Sequence, residues 1–273
     1  MIFTDLDGTL LDHISYKWDK AKPALDICRR LQVPIIMVSS KTRAEMDVLR
    51  REMELPFPFV SENGGGIFFP KEWSGKIPSG TFPEEDMWKY TLGTPYSHLV
   101  RYLQEIRDEL GLSLRGFSEM SPEEISGLTG LDRKNSLLAA MREFDEPFVV
   151  IEEENMDLDA LRIAAKKRDL QISKGGRFYH IHGKNDKGEA IKTIISWFKQ
   201  SHEKLFTVAL GDSPNDFPML KQVDQPVLIY SQQDFHGIEM EIPGLIVTRE
   251  PGPEGWNVAV QSILDKKISG GIP

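Results

Sequence analysis

Two carboxylates two residues apart, Asp5 and Asp7, close the short apolar run Ile2-Phe3-Thr4. In an extended segment, side chains at i and i+2 share a face, so the pair gathers negative charge on one side of a strand end. Gly8 then permits a sharp turn, and Thr9 brings a hydroxyl to it. Such crowding is costly unless a cation or phosphate chemistry makes use of it. An ordinary turn or a calcium loop also favours Asp and Gly. A calcium loop, however, continues with further oxygen ligands and a Glu near its twelfth position, whereas Leu10, Leu11 and Ile14 follow here.

Three more polar clusters stand where strands should end or helices begin. Ser39-Ser40-Lys41 follows the apolar run Pro34–Val38, Lys187 sits in Asn185-Asp186-Lys187-Gly188-Glu189-Ala190, and Gly211-Asp212-Ser213-Pro214-Asn215-Asp216 follows Phe206–Leu210. Taken singly they read as a loop or cap, a solvated lysine and a turn. Together they recur at the carboxyl ends of strands, where open α/β sheets bind ligands. None of the six histidines has zinc-ligand spacing to the lone cysteine, and His180-x-His182 stands isolated.

The elements that must carry these residues alternate. Ile2–Thr4, Pro34–Val38 and Phe57–Val60 predict strands, with helices over Pro23–Leu31 and from the capping box Thr42-Arg43-Ala44-Glu45. This β-α-β-α-β order predicts an α/β fold with a Rossmann-like parallel-sheet core and right-handed crossovers. From Phe82 to Gly176 the pattern changes to longer helices and shorter strands. Leu99, Tyr102, Leu103, Ile106 and Leu110 form a helix face stopped by Gly111, and further helices are predicted from Ser121-Pro122, over Arg133–Phe144 and over Leu158–Arg168. This block is expected to lay helices on a small, partly antiparallel sheet. The predicted organisation is a core of 1–81 and 177–273 interrupted by an inserted α+β domain, 82–176. With 40% hydrophobic and 27% charged residues, the 273-residue chain can bury a proper core. A net charge of −9 disfavours nucleic acid and anionic membranes, so any anionic ligand must be held by local cations or a metal. The single Cys28, the lack of a basic-then-apolar leader and the lack of a long apolar run lead us to expect a soluble cytoplasmic protein with no membrane partner. The oligomeric state is not legible.

The four polar clusters, in this order, resemble the motifs of the haloacid dehalogenase-like phosphatases. That resemblance implies that Asp5 attacks phosphorus and carries an aspartyl-phosphate, while Asp7 serves as acid and then base. It implies that Ser40 bonds the transferring phosphoryl group and that Lys187 offsets the crowded negative charge. Mg²⁺ would be held by Asp5, the backbone carbonyl of Asp7 and Asp212, with Asn215 and Asp216 orienting that set. Either Ser39 or Ser40 can face phosphate, and Ser40 aligns better. Members that preserve the aspartyl-phosphate for transport carry Thr in place of Asp7, so Asp implies turnover, by a phosphatase or a mutase. The inserted block resembles the larger cap of sugar-phosphatase branches, as does Ser61-Glu62-Asn63-Gly64-Gly65. Sugar-phosphatase relatives often show Ala-Thr-Gly-Arg at the second motif, from which Ser-Ser-Lys-Thr departs.

Five segments more narrowly resemble the mannosyl-3-phosphoglycerate phosphatase family: Val38–Thr42, Arg142–Pro147, Gly175–His180, Gly211–Asp216 and Gly252–Trp256. The implied substrate is a small phosphorylated sugar, mannosyl-3-phosphoglycerate first, and the implied setting is mannosylglycerate synthesis as a compatible solute. Glucosyl-3-phosphoglycerate, sucrose phosphate or another sugar phosphate, and a phosphomannomutase-like isomerisation are the alternatives. Candidate substrate contacts are Thr9, Ser39, Lys41, Arg142, Gly176, Arg177 and His180. Arg142 can also be a solvated helix end, and Arg177 and His180 can face plain solvent. The glycines of Lys174-Gly175-Gly176 would let backbone amides approach an anion. Trp256, after a Gly/Pro-rich loop, is a candidate neighbour of the site.

Overall fold

Short, continuously buried apolar runs from both ends of the chain build one parallel sheet. The computed structural model describes residues 1–151, 157–175, 177–232, 235 and 237–269. The first part of the chain forms β1 (Ile2–Thr4), α1 (Lys22–Arg30), β2 (Ile35–Met37), α2 (Arg43–Glu52), β3 (Phe59–Ser61), β4 (Gly66–Pro70), β5 (Phe82–Glu84) and β6 (Met87–Thr91). Next come α3 (Tyr96–Leu110), β7 (Leu114–Gly116), α4 (Pro122–Thr129), α5 (Arg133–Ala139), β8 (Asp145–Val150), α6 (Leu158–Lys166), β9 (Gln171–Gly175) and β10 (Phe178–His182). The last part supplies α7 (Lys187–Lys199), β11 (Val208–Gly211), α8 (Phe217–Leu220), β12 (Gln225–Tyr230), α9 (Ile238–Glu241), β13 (Ile246–Pro251) and α10 (Gly252–Ser269).

The central sheet has five parallel strands in the order β13-β12-β11-β1-β2. Phe3 lies in register between Ala209 and Ile36. Because successive side chains alternate, Ile35, Met37 and Leu210 enter one apolar layer while Phe3, Ile36 and Ala209 enter the other. Burial on both faces explains why these strands are continuously apolar. A parallel bridge from Val38 to Val60 carries the sheet on to β3. From there a second, antiparallel sheet runs β3-β4-β6-β5.

The inserted unit is a four-stranded sheet, β7-β8-β10-β9, in which every pairing is antiparallel. Leu99, Leu103 and Ile106 of α3 and Leu161, Ala164 and Ala165 of α6 pack against Phe148 and Ile181 of that sheet. The boundary expected at 82 falls at the start of β5, and that expected at 176 falls between the paired strands β9 and β10. Strands β5 and β6 pair onto β4, and β10 pairs with β8 and β9. Sheet membership therefore gives the insertion as 96–182. The helix expected over 133–144 stops at Ala139, because the three residues Arg142, Glu143 and Phe144 leave it to engage the core. No helix among the described residues is long and apolar enough to cross a membrane.

Phe144 fastens cap to core. It is buried in the core cluster with Phe59 and Phe68, although it belongs to the inserted segment. Gly65 makes room for it, since a Cβ there would lie 2.3 Å from the Phe144 Cβ. Truncating a buried Phe removes transfer energy and leaves a cavity, so Phe144→Ala should destabilise the protein by about 3–5 kcal/mol. Urea unfolding followed by tryptophan fluorescence measures this, and a loss below about 1 kcal/mol would show that the cap is held elsewhere.

Candidate active site

The site is built where β1, β11 and the start of α7 converge. Asp5 follows β1 directly and donates its N–H to the Leu210 carbonyl of β11 at 2.9 Å. Lys187 opens α7 behind Asp186, whose side chain caps the helix by accepting from Glu189 N. The Lys187 side chain is wholly buried, and its Nζ lies 2.6 Å from Asp5 Oδ1 and 2.6 Å from Asp216 Oδ1. Asp216 is fixed in turn: its Oδ2 accepts the N–H groups of Asp212 and Ser213 at 3.0 and 3.1 Å.

One ammonium shared by two carboxylates leaves excess negative charge. Burial, partly offset by Lys187 and reinforced by Asp216 and Asp7, pushes the Asp5 carboxyl up to about 8. Burial and Asp216 push Asp212 up to about 6. Burial also works against the charge on Lys187, but Asp216 and Asp5 outweigh it and hold that ammonium above its ordinary value. Asp5, Asp212 and Asp216 each place a carboxylate oxygen within 4.8 Å of the others. Asp216 has both oxygens committed, so Asp5 and Asp212 are the two carboxylates left for a cation. Gly8, at φ 79, lets Asp212 close in, since a Cβ there would lie 2.5 Å from Asp212 Oδ2. An all-oxygen set with surplus negative charge fits a hard divalent ion such as Mg²⁺.

Asp7 is placed at the edge of this cluster. Its Oδ2 lies 2.9 Å from Lys41 Nζ, and its buried Oδ1 has no partner among the described residues. Lys41 also lies over the Tyr16 ring, 5.3 Å from its centroid. Burial works against the Lys41 charge, but Asp7 and Glu45 more than compensate and raise its pKa. Asp7, Ser40 and Lys41 line a cleft of about 150 Å³ whose cap side is formed by Arg142, Phe178 and His180. Ser39 is buried behind it, its Oγ accepting from Lys41 N.

Other expected residues are placed differently. Thr9 is fully buried with its hydroxyl unpartnered among the described residues, so it does not reach the cleft surface. Arg177 is exposed and donates to the Leu128 carbonyl at 2.8 Å, leaving Phe178 and His180 as the wall contributed by β10. Gly176 lies outside the described residues. Asn215 is exposed, donates to Asn63 Oδ1 at 3.3 Å and accepts from the Ser213 hydroxyl, next in the chain to Asp212. Asp216 anchors Lys187 and the turn after β11. Trp256 is buried beneath the site, donating from Nε1 to Thr4 Oγ1 at 3.0 Å.

Two acidic residues were not singled out from sequence. Asp145 Oδ2 accepts from both His180 Nδ1 (2.8 Å) and Arg142 Nη1 (3.3 Å), which ties the two cap side chains together. Buried Glu62 accepts cap backbone N–H groups, and burial, opposed by Arg142, raises its carboxyl to about 8. The segments holding both had matched family patterns, but only the fold shows what their carboxylates touch.

Likeness to known proteins spans most of the chain. Residues 2–111 and 132–233 match the family described as haloacid dehalogenase-like hydrolases. A glucosyl-3-phosphoglycerate/mannosyl-3-phosphoglycerate phosphatase of Methanococcoides burtonii is 38% identical over 266 residues, 97% of each chain. Its namesake from Persephonella marina is 37% identical over 269 residues, again 97% of each. Among solved structures, that of Thermoplasma acidophilum 0175 superposes with a TM-score of 0.68 at 17% identity, covering 96% of this chain and 97% of that one. At that identity the likeness is one of fold.

The raised carboxyls make stability depend on pH and metal. Asp5 and Asp212 titrate from 3.8 when unfolded to about 8 and about 6 when folded. The stability they contribute is therefore complete below the unfolded value and is lost as pH rises through about 6 and then about 8. A divalent cation binds the ionised forms, so added Mg²⁺ should raise the melting temperature more at about pH 8 than at about pH 5. Scanning fluorimetry with and without Mg²⁺ tests this, and a larger increase at the acidic end would contradict the assignment of these carboxylates as ligands.

Proposed function

Because the chain belongs to the haloacid dehalogenase-like hydrolase family and is a phosphoric monoester hydrolase, we propose that it dephosphorylates mannosyl-3-phosphoglycerate, with the glucosyl compound as its nearest alternative. The observation that carries the reading is the Asp5–Lys187–Asp216 cluster lying beside Asp7, at the foot of a cleft walled by Arg142 and His180. The two relatives that match end to end bear names with both substrates.

Asp5 Oδ1 is held by Lys187, which leaves the other carboxylate oxygen for in-line attack on phosphorus. An O–P bond forms to Asp5 as the glycerate alkoxide departs and takes a proton from Asp7. Asp7 then removes a proton from water, the resulting hydroxide attacks phosphorus, and phosphate leaves with Asp5 regenerated. Ser40, on the cleft wall beside Asp7, bonds the moving phosphoryl group. When bound between Asp5 and Asp212, Mg²⁺ supplies charge neutralisation for phosphate among carboxylates.

The cap selects the substrate. A cleft of about 150 Å³ is smaller than the roughly 300–1,000 Å³ of ordinary small-ligand pockets. The cap must therefore rock outward to admit a glycosylated phosphoester and close over it afterwards. The substrate's carboxylate and sugar hydroxyls then meet Lys41, Arg142 and His180 on the closed walls.

Asp5→Asn should abolish phosphate release, since an amide is a poor nucleophile and a poor metal ligand. Asp7→Asn removes proton transfer, typically worth ~10²–10⁴ in rate. Its defect should be larger for an alkyl phosphate than for an aryl phosphate, whose leaving oxygen needs less protonation. Equal losses on the two substrates would sink the role given to Asp7.

The substrate itself is tested by phosphate release across a panel. Mannosyl-3-phosphoglycerate and its glucosyl analogue should far outpace sucrose 6-phosphate and mannose phosphates, because cations left without a carboxylate partner penalise the wrong ligand. A preference for a sugar phosphate that lacks the carboxylate would overturn this substrate while leaving the hydrolase standing.

A further inference from the structure

Glu62 is a carboxylate that none of the hydrolytic steps uses, yet it lies at the junction of every part of the site. Its side chain is buried at 1% exposure, with Oε1 3.0 Å from the Glu143 N–H and Oε2 2.8 Å from the Phe144 N–H. Both amides belong to the cap segment that immediately follows Arg142. Arg142 itself reaches back into the core, where its Nη1 donates to the Ser40 carbonyl at 3.0 Å. The Glu143 carboxylate is held by Arg43 and Lys89, and the Phe144 ring sits in the core cluster. The segment 142–144 is thus the fulcrum on which the cap rests.

The same turn braces the core side through its backbone. Glu62 N donates to the Lys41 carbonyl and Asn63 N to the Ser39 carbonyl, each at 3.0 Å. Asn185, two residues before Lys187, donates to the Glu62 carbonyl at 3.3 Å. Glu62 and Asn63 adopt φ of 47 and 52, a left-handed backbone that non-glycine residues seldom occupy. Strain and a buried carboxylate are both unfavourable, and both persist where the side chain meets the two cap amides.

We propose that Glu62 is a positioning residue that pins the fulcrum of the cap, holding Arg142 against the Ser40 loop by gripping the main chain at Glu143 and Phe144. The backbone brace survives substitution of the side chain, so side-chain variants test the grip alone. A substrate read by the cap depends on that grip, and a small aryl phosphate that meets only the core does not. This expectation rests on the glycosyl-phosphoglycerate reading.

The experiment compares wild type, Glu62→Leu and Glu62→Gln as Mg²⁺-loaded enzymes on mannosyl-3-phosphoglycerate and p-nitrophenyl phosphate. Two hydrogen bonds to the buried carboxyl are removed in Glu62→Leu, so kcat/KM on the glycosylated substrate should fall by roughly 10–100-fold, chiefly through KM. Turnover of p-nitrophenyl phosphate should stay within about threefold. Glu62→Gln keeps a carbonyl oxygen for the Phe144 amide and should recover most of the loss. Parallel losses on both substrates, or no loss on either, would overturn the positioning role. Should Glu62→Leu fail to fold, Glu62→Asp, one methylene too short, must show the same selective loss or the proposal fails. Amide hydrogen exchange reads the grip without any substrate. Exchange at Glu143 and Phe144 should rise at least about tenfold in Glu62→Leu or Glu62→Asp while the amides of α3 keep their protection; unchanged exchange overturns the proposal. Wild type that is active on p-nitrophenyl phosphate but not on mannosyl-3-phosphoglycerate would instead remove the substrate reading.

Discussion

A buried ammonium group shared by two carboxylates dictates the arrangement of everything else. Lys187 Nζ has no solvent, so its charge survives only because Asp5 and Asp216 meet it at 2.6 Å. Those three residues come from widely separated stretches of chain. Bringing them together requires β1 and β11 to be neighbours, and the register Thr4 to Leu210 places Asp5 and the turn after Gly211 at the same sheet edge. The order β13-β12-β11-β1-β2 is therefore both the burial solution for continuously apolar strands and the electrostatic solution for Lys187.

The cap is tied into that arrangement on the side of the second motif. Arg142 bonds the Ser40 carbonyl, and Thr42, which caps α2, also donates to the Leu138 carbonyl of the cap at 2.8 Å. The helix cap, the serine of the cleft wall and the cap contact thus fall within three consecutive residues, Ser40 to Thr42. Any movement of the cap is felt at once by the loop that faces Asp7. On the cap's own side, Asp145 joins Arg142 and His180 through one oxygen.

Local chemistry made part of this legible from sequence. The capping box at Thr42, the helix start at Ser121-Pro122 and the stop at Gly111 after α3 form as the sequence predicts. Strand alternation at 35–38 and 208–210 predicts which side chains share a layer. Long-range pairing was not legible. Residues 82–91 have a strand's composition whichever sheet they join, and only their hydrogen bonds to β4 assign them to the core side. The helix expected through Phe144 has sufficient local propensity, but tertiary contacts to Glu62 and the core overrule it after Ala139. At the site, Asp5, Lys187 and Asp212 were marked by their motifs, whereas the burial of the Thr9 hydroxyl and the turn of Arg177 toward the Leu128 carbonyl are visible only in the fold. Proximity in sequence carries no information about which way a side chain turns at a bend.

Charge explains why a metal and a cap are needed together. Among the described residues, Asp5 and Asp216 pair with Lys187 and Asp7 pairs with Lys41, while Asp212 makes no ion pair. The surplus among these groups is two negative charges, the charge of one divalent cation. A phosphate monoester entering such a place adds negative charge of its own, and a carboxylate beside it adds more. The chain as a whole, at −9, offers no attraction at a distance. Attraction has to be assembled within a few ångströms, where a small water-poor cleft strengthens each contact. On the core side the oxygen set of Asp5 and Asp212 fits a divalent ion that would meet that need, and on the cap side the Arg142 guanidinium lines the cleft.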